Sequence, residues 1–214
     1  MKTALGEIIA FTDSDCIPDK DWLSFAVKTL ESGAERIAGN IEVFCQSEKL
    51  SWAEIYEVAF AFNQKAYADK GGGVTGNMIT WKRHFGSVGY FNDQLLSGAD
   101  LEWGHRAQNI GIPIIYSADV LVKHPARDTI KKVLVKTRRL AGGAVSTNRV
   151  VQSSNSAWTL LLRGFTPPVR DILSAVRRDD FACAKKVDCF SNGLSGKDVF
   201  YHCQASSKDE DNSS

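Results

Sequence analysis

The order Ile8-Ile9-Ala10-Phe11-Thr12-Asp13-Ser14-Asp15 constrains this chain more than any other stretch. A continuous apolar run of this length lacks the alternation of a half-exposed strand. It predicts a strand buried on both faces, the kind found in layered α/β proteins. Two aspartates at i and i+2 follow it directly. Carboxylates at the carboxyl end of a buried strand converge on the crevice where open α/β sheets bind ligands, and two hard oxygen donors suit Mg²⁺ or Mn²⁺ on a diphosphate. A strand that ends in a polar turn with a capping Asp looks the same locally, so the pair needs support from elsewhere. An EF-hand loop is excluded, because it requires Asp or Asn where Ile17 stands and Gly where Pro18 stands.

The rest of the chain alternates helix and strand signals. Asp19 is expected to cap a helix on which Trp22, Leu23, Ala26, Val27 and Leu30 share a face, with Gly33 as its stop. Residues 36–44 read as a strand. Ser51-Trp52-Ala53-Glu54 is a capping-box pattern, and Trp52, Ile55, Tyr56, Ala59 and Phe62 recur at helical spacing, so these aromatics are expected in the core. The run Gly71-Gly72-Gly73-Val74-Thr75-Gly76-Asn77 predicts a flexible loop or a close backbone approach. After it come a strand at 78–81, a helix over 100–109 closed by Gly111, and two short strands at 114–116 and 120–122. Asp128 is expected to cap a helix with Ile130, Val133, Leu134, Thr137 and Ala141 on one face, stopping at Gly142-Gly143. Pro167-Pro168 can open another helix carrying Ile172, Leu173 and Val176; residues 179–204 show no clear period, and 206–214 read as a disordered tail. This alternation argues for an α/β protein.

Composition narrows the partners. With 26 Lys+Arg against 25 Asp+Glu in 214 residues the formal net charge is +1, so no global field drives binding to nucleic acid or to a membrane. Charge is concentrated locally: residues 123–139 hold seven basic side chains, including Lys136, Arg138 and Arg139, against the single acid Asp128. Such a stretch is a solvated helix face, a diphosphate clamp or a contact for anionic lipid headgroups. No aromatics interleave with it, which argues against a nucleic-acid platform. Five cysteines, an odd number without a CxxC pair, read as reduced thiols in a cytosolic protein. The first residues form no apolar signal segment, and the stretch 157–162 is far short of a membrane span.

Two further residues carry candidate chemistry. Asp100 opens its helix after the turn Ser97-Gly98, where the helix dipole favours a carboxylate; it is a cap partner or a general base that takes a proton from an attacking hydroxyl. Glu102 and Arg106, at other angles on that helix, read as an i,i+4 pair. His124 ends a strand just before the basic segment. It is either a satisfied core residue or a metal ligand.

Taken together, Gly6 to Pro18 with Trp22-Leu23 resembles the metal-binding DxD segment of family 2 glycosyltransferases, inverting enzymes of the GT-A fold. Thr75-Gly76-Asn77-Met78, then Phe85-Gly86-Ser87-Val88-Gly89-Tyr90-Phe91, then Gly98 to Arg106, then Gly111 to Tyr116, and finally His124 resemble that family's acceptor-side half in order. The resemblance covers about residues 6–143. It implies a GT-A-like mixed sheet flanked by helices. Asp15 would hold a divalent metal, Mg²⁺ or Mn²⁺, with Asp13 near the donor and His124 a further metal or phosphate contact. Asp100 would be the base for single displacement with inversion. Gly76 and Asn77 would let backbone approach donor or acceptor, and Arg138 or Arg139 would steady the pyrophosphate. The implied partners are a nucleotide-diphosphate sugar and a glycan, lipid or protein acceptor, as in polysaccharide biosynthesis, with the 123–139 segment as a peripheral membrane contact.

Two positions depart from the family. Ala99 stands where Glu usually precedes the base, and the nucleotide-binding half, at roughly 30 residues per βαβ unit, does not fit before Ile8. The expected organisation is a DxD-containing and acceptor-side part over 1–145, a helical or irregular extension over 146–205, and the tail. The DxD strand is then expected to show an open edge on its nucleotide side, for a partner chain to complete. Two other readings remain: a catalytically silent binding module, and a haloacid-dehalogenase-like phosphohydrolase with Asp13 as nucleophile and Asp15 as acid/base. That family expects Thr or Val at Ile17. Incubation with an aryl phosphate and Mg²⁺ separates it from the others: the glycosyltransferase reading expects no release of the phenol, measured by absorbance, above a protein-free control.

Overall fold

The computed structural model describes residues 3–47, 49–146 and 199–204; the expected helix near 167–176 and the tail at 206–214 lie outside the described residues. Six strands form one mixed sheet in the order β2-β5-β3-β4-β1-β6. Their bounds are β1 Ile8–Asp13, β2 Ile17–Pro18, β3 Arg36–Phe44, β4 Asn77–Trp81, β5 Ile114–Pro125 and β6 Val199–Gln204. Strand β4 runs antiparallel to both β1 and β3, β5 is parallel to β3, and β2 is antiparallel to β5. β6 pairs with β1 in parallel, Ile8 opposite Val199, so the edge expected to be open is occupied. It also puts a strand in the segment expected to be helical or irregular.

β1 is buried on both faces, as its composition dictates. Ile8 and Ala10 join one core with Ile37, Ile79, Val120 and Val122, covered by helix α1 (Trp22–Glu31) through Trp22, Ala26 and Leu30. Ile9 and Phe11 point the other way, into a core with Met78, Phe85, Trp103 and Ala107, covered by α4 (His84–Val88) and α5 (Ala99–Asn109). Each large side chain so buried contributes about 1.5–3 kcal/mol. The rings of Phe11, Phe85, Phe91 and Trp103 cluster with centroids 4.7–6.2 Å apart.

Several local signals resolve differently from their sequence reading. Asp21, not Asp19, is the first-turn boundary of α1; the Asp19 carboxylate accepts from Asp21 N at 3.0 Å. The expected short strands at 114–116 and 120–122 are one strand with a bulge: Gly39 pairs with Ser117 and Asn40 with Leu121, leaving 118–120 unmatched on β3. α6 (Ile130–Ser146) does not stop at Gly142-Gly143, because that pair serves close approach. A Cβ on Gly143 would lie 2.6 Å from the Ser97 carbonyl oxygen. Thr129, rather than Asp128, meets the first turn of α6, its hydroxyl accepting from Lys132 N at 3.4 Å, while Asp128 pairs with Lys132 at 2.8 Å.

Helix α2 (Trp52–Phe60) is inverted relative to expectation. Its capping box forms as read, Ser51 with Glu54, but Trp52 is 77% exposed and Tyr56 is also exposed, whereas Ala53, Glu54 and Glu57 are buried. The reason is a pair of cations from α6 and its approach, which draw the carboxylate face inward.

Asn77 sits where the sheet bulges. Its side chain is fully buried, Oδ1 accepting from Trp22 Nε1 at 2.9 Å and Nδ2 donating to Asn40 O at 2.7 Å and Val120 O at 2.8 Å. Asn77→Ala leaves a buried donor and two carbonyls unpaired, and is expected to cost about 3 kcal/mol, read as a lower urea midpoint with unchanged m-value.

Candidate functional site

The carboxyl end of β1 and the far end of β5 bring four chemistry-bearing side chains together. One ligand atom each from Asp13, Asp15, Cys16 and His124 lies within 4.8 Å of the others. β2 causes this, because its pairing of Ile17 with Lys123 folds the Asp15-Cys16 turn back over β5 next to His124. His124 Nε2 is 3.8 Å from Asp15 Oδ1. Its Nδ1 is 2.7 Å from Pro125 O. A carbonyl only accepts, so Nδ1–H donates and Nε2 is the nitrogen turned toward the carboxylates, the orientation a metal-binding histidine needs.

The His124 ring is nearly fully buried and packs tilted by 46° against Phe62 with centroids 4.5 Å apart, and Lys136 Nζ sits 4.7 Å over the face of Phe62. Phe62, expected on a helical core face, instead follows α2 with φ +56°, a left-handed conformation that costs a non-glycine residue of order 1 kcal/mol. Gly76 packs from the other side: a Cβ there would lie 3.3 Å from Asp13 Oδ2 and 3.9 Å from Phe62. Burial raises the Asp13 pKa; the His124 and Arg139 charges oppose this, and Asp15 and Asp100 reinforce it. Burial likewise pushes the Cys16 thiol up to about 11, opposed by the Thr12 hydroxyl.

Asp100 faces the same crevice from the first turn of α5. Its Oδ2 accepts from Thr75 N at 3.0 Å and Thr75 Oγ1 at 3.4 Å, and its Oδ1 from Leu101 N at 2.9 Å. Three donors hold the carboxylate in one orientation and leave an acceptor site on Oδ1. The helix behind it is fixed by close approach. The glycine run at 71–73 is buried, and Gly104 of α5 passes over it so tightly that a Cβ would lie 3.0 Å from Gly72 Cα. Fully buried Arg36 locks that contact, donating to Ile112 O at 2.8 Å and Gly71 O at 3.2 Å. Arg106 pairs with Glu102 as expected, at 2.7 Å, and also donates to the carbonyls of Val88 and Tyr90.

Asp13, Asp15, His124, Gly76 and Asp100 therefore converge, and Arg139 is near enough for its charge to act on Asp13. Asn77 does not converge with them. Its amide is spent on Trp22, Asn40 and Val120, its backbone N–H donates to Val74 O and its carbonyl accepts from Gln64, so it braces the sheet instead of meeting a ligand. Arg138 is exposed on α6, about 100° round the helix from Arg139. Two residues escaped the sequence reading. Cys16 had been counted only as a reduced thiol, although its position beside Asp15 was a signal. Glu57, 1% exposed, is bound by Arg127 at 2.7 Å and Lys136 at 3.0 Å, and left no signature beyond the unbalanced charge of 123–139.

Among the described residues no helix is long and apolar enough to cross a membrane, and Cys16 is a free thiol. No family model matches the chain. Over 142 residues, 65% of this chain, it is 32% identical to the glycosyltransferase AglE of Haloferax volcanii, and the match covers 46% of that protein. The chain thus spans about half the length of that curated relative. Among solved structures, the mannosyltransferase PcManGT from Pyrobaculum calidifontis, in complex with GDP-Man and Mn²⁺, aligns over 82% of this chain and 62% of its own at 18% identity, with a TM-score of 0.38.

Asp13 is the strained member of the group. Because its folded pKa is raised, its ionisation opposes folding above that pKa and ceases to do so as pH falls through it. Asp13→Asn is therefore expected to raise the urea midpoint at neutral pH, with the gain vanishing in acid below the ordinary carboxylate range.

Proposed function

We propose that the chain carries the metal-binding and acceptor-side machinery of an inverting, metal-assisted glycosyltransferase that moves a sugar from a nucleotide-diphosphate donor to a hydroxyl acceptor. The convergence of Asp13, Asp15 and His124 with Asp100 across one crevice is the observation that carries this reading. The similarity to the glycosyltransferase AglE over 142 residues supports it.

The donor set fits a divalent cation. Two carboxylates and a correctly oriented imidazole suit Mn²⁺ or Mg²⁺, and a cation there would relieve the disfavoured ionisation of Asp13. Asp15 and Asp13, with His124, would hold the ion, whose chemistry is to neutralise the departing diphosphate. Arg139 adds positive charge on the same side, and Gly76 leaves room beside Asp13 for a ligand. Asp100 takes the proton of the acceptor hydroxyl as its oxygen bonds to the anomeric carbon and the bond to the diphosphate oxygen breaks, which inverts that carbon. Thr75 keeps the carboxylate turned toward the hydroxyl. A glycan, lipid or protein supplies that hydroxyl. Exposed Ile130 and Leu134 on α6, set among Lys131 and Arg138, support a peripheral contact with an anionic membrane surface.

The chain spans 46% of its relative, which favours a second reading in which a partner chain completes the donor site or the fragment only binds. Calorimetry with Mn²⁺ and a panel of nucleoside diphosphates separates these readings: Mn²⁺-dependent binding, lost in Asp15→Asn, is expected for a donor site held by this chain, and its absence would overturn that assignment. Turnover, measured as nucleoside diphosphate released from sugar donors, is expected to fall at least about 100-fold in Asp100→Asn with donor binding retained. Undiminished turnover would remove Asp100 from the role of base.

A further inference from the structure

A sugar-nucleotide site needs only hard ligands and open coordination positions, yet this crevice also contains a thiol. Cys16 Sγ lies within 4.8 Å of the ligand atoms of Asp13, Asp15 and His124. Four protein ligands of this kind, two carboxylate oxygens, one imidazole nitrogen and one sulfur, make up a closed tetrahedral donor set for a borderline-soft ion. In such a site the ligand atoms stand about 3.4–3.7 Å apart, since Zn–S is about 2.3 Å and Zn–N or Zn–O about 2.0–2.2 Å. His124 Nε2 and Asp15 Oδ1 already stand 3.8 Å apart, and the remaining pairs, all within 4.8 Å, close by at most about 1 Å through side-chain rotation while His124 stays fixed by Pro125 and Phe62. Lys123 pairs with Ile17 through the backbone of β2 and β5, and Asp100 and Arg139 act on Asp13 with opposite signs, less than His124 and Asp15 do.

Resting on the metal-assisted reading of the same crevice, we infer that Cys16 is a fourth ligand that gives this chain a nucleotide-independent site for a thiophilic divalent ion, Zn²⁺ or Cd²⁺, in competition with the hard ion that serves the donor. The two ions use the site differently. Mn²⁺ or Mg²⁺ takes the oxygens and His124, leaves Cys16 aside, and keeps positions open for phosphate oxygens. Zn²⁺ takes all four side chains, the thiol passing its proton to solvent as the metal–sulfur bond forms. A closed four-coordinate ion has no position left for a diphosphate, so Zn²⁺ is an inhibitor of donor binding and not a substitute for the working metal.

The test uses the unaltered chain, stripped of metal and exposed to iodoacetamide with Zn²⁺ alone or Mn²⁺ alone. The tryptic peptide spanning residues 3–20 contains Cys16 as its only cysteine, so mass spectrometry reads the alkylation of this thiol separately from Cys45, Cys183, Cys189 and Cys203. Equimolar Zn²⁺ is expected to slow alkylation of Cys16 at least about tenfold, with little effect from Mn²⁺, and His124→Ala is expected to raise the Zn²⁺ needed at least about tenfold. Alkylation of Cys16 indifferent to Zn²⁺, or protection unchanged in His124→Ala, would overturn the inference. A second readout does not depend on that variant folding: Cd²⁺ added to the wild-type chain should produce a thiolate charge-transfer band that is smaller by one thiol's share in Cys16→Ser, and an equal band in both would overturn it as well. Mn²⁺-dependent nucleoside diphosphate binding to the same preparation separates the two levels. If it is present while Zn²⁺ leaves Cys16 unprotected, only the thiol ligand fails; if it is absent while Cys16 is protected, the glycosyltransferase reading of the metal fails instead.

Discussion

The arrangement depends on one amide filling one gap. Where β5 bulges past β3, Nδ2 of Asn77 donates to two carbonyl oxygens, those of Asn40 and Val120. Gly39 makes this geometrically possible, for a Cβ there would lie 2.3 Å from that nitrogen. The same amide holds Trp22 Nε1 with its oxygen and so pins α1 to the sheet. Buried polar groups are costly when unpaired and specifying when satisfied. This one sets the register at which the ends of β1 and β5 arrive side by side, and hence the distance between the aspartates and His124.

A second buried polar group does the same work for the acceptor side. Arg36 is wholly buried without a carboxylate partner among the described residues, and burial lowers its pKa to about 10. Its hydrogen bonds go to the carbonyls of Ile112 and Gly71, with the face of Trp103 at 5.8 Å. Those carbonyls belong to the chain leaving α5 and to the glycine turn under it. Together they seat α5 against the sheet at glycine-to-glycine distance, which sets where Asp100 points. The site is therefore built by two neutralised backbone seams, one on each side of β4, with the ionisable groups left at their mouths.

Much of this was legible because burial and capping leave local marks. The two-sided burial of β1, the capping box at Ser51, the start of α5 and the pairing of Glu102 with Arg106 follow from spacing alone. The two glycine clusters were recognisable as special positions, but spacing could not say against what: Gly71 to Gly73 take α5, and Gly143 takes the Ser97 turn. The family resemblance implied that Gly76 and Asn77 let backbone approach donor or acceptor, and the bulge that consumes the Asn77 amide exists only once β3 and β5 are paired. The inverted burial of α2 was equally hidden. Its aromatic stripe outweighs its two glutamates in any hydrophobic reading, and the cations that bury Glu57 come from 70 and 79 residues further along.

That ion triad gives the molecule two kinds of solid. The sheet with α1 and α5 is held by interlocking apolar side chains and by the buried Asn77 and Arg36 hydrogen bonds to backbone carbonyls. Helix α2 is moored to α6 by Glu57 gripped between Arg127 and Lys136, with its Trp52 and Tyr56 turned to water. A mooring made of three charges holds only while all three are present, and removing either cation leaves part of a buried carboxylate unpaired. Phe62, strained and pressed between His124 and Lys136, is the hinge pin between the two regimes, so a break in the ion triad is felt first as a loss of grip on His124.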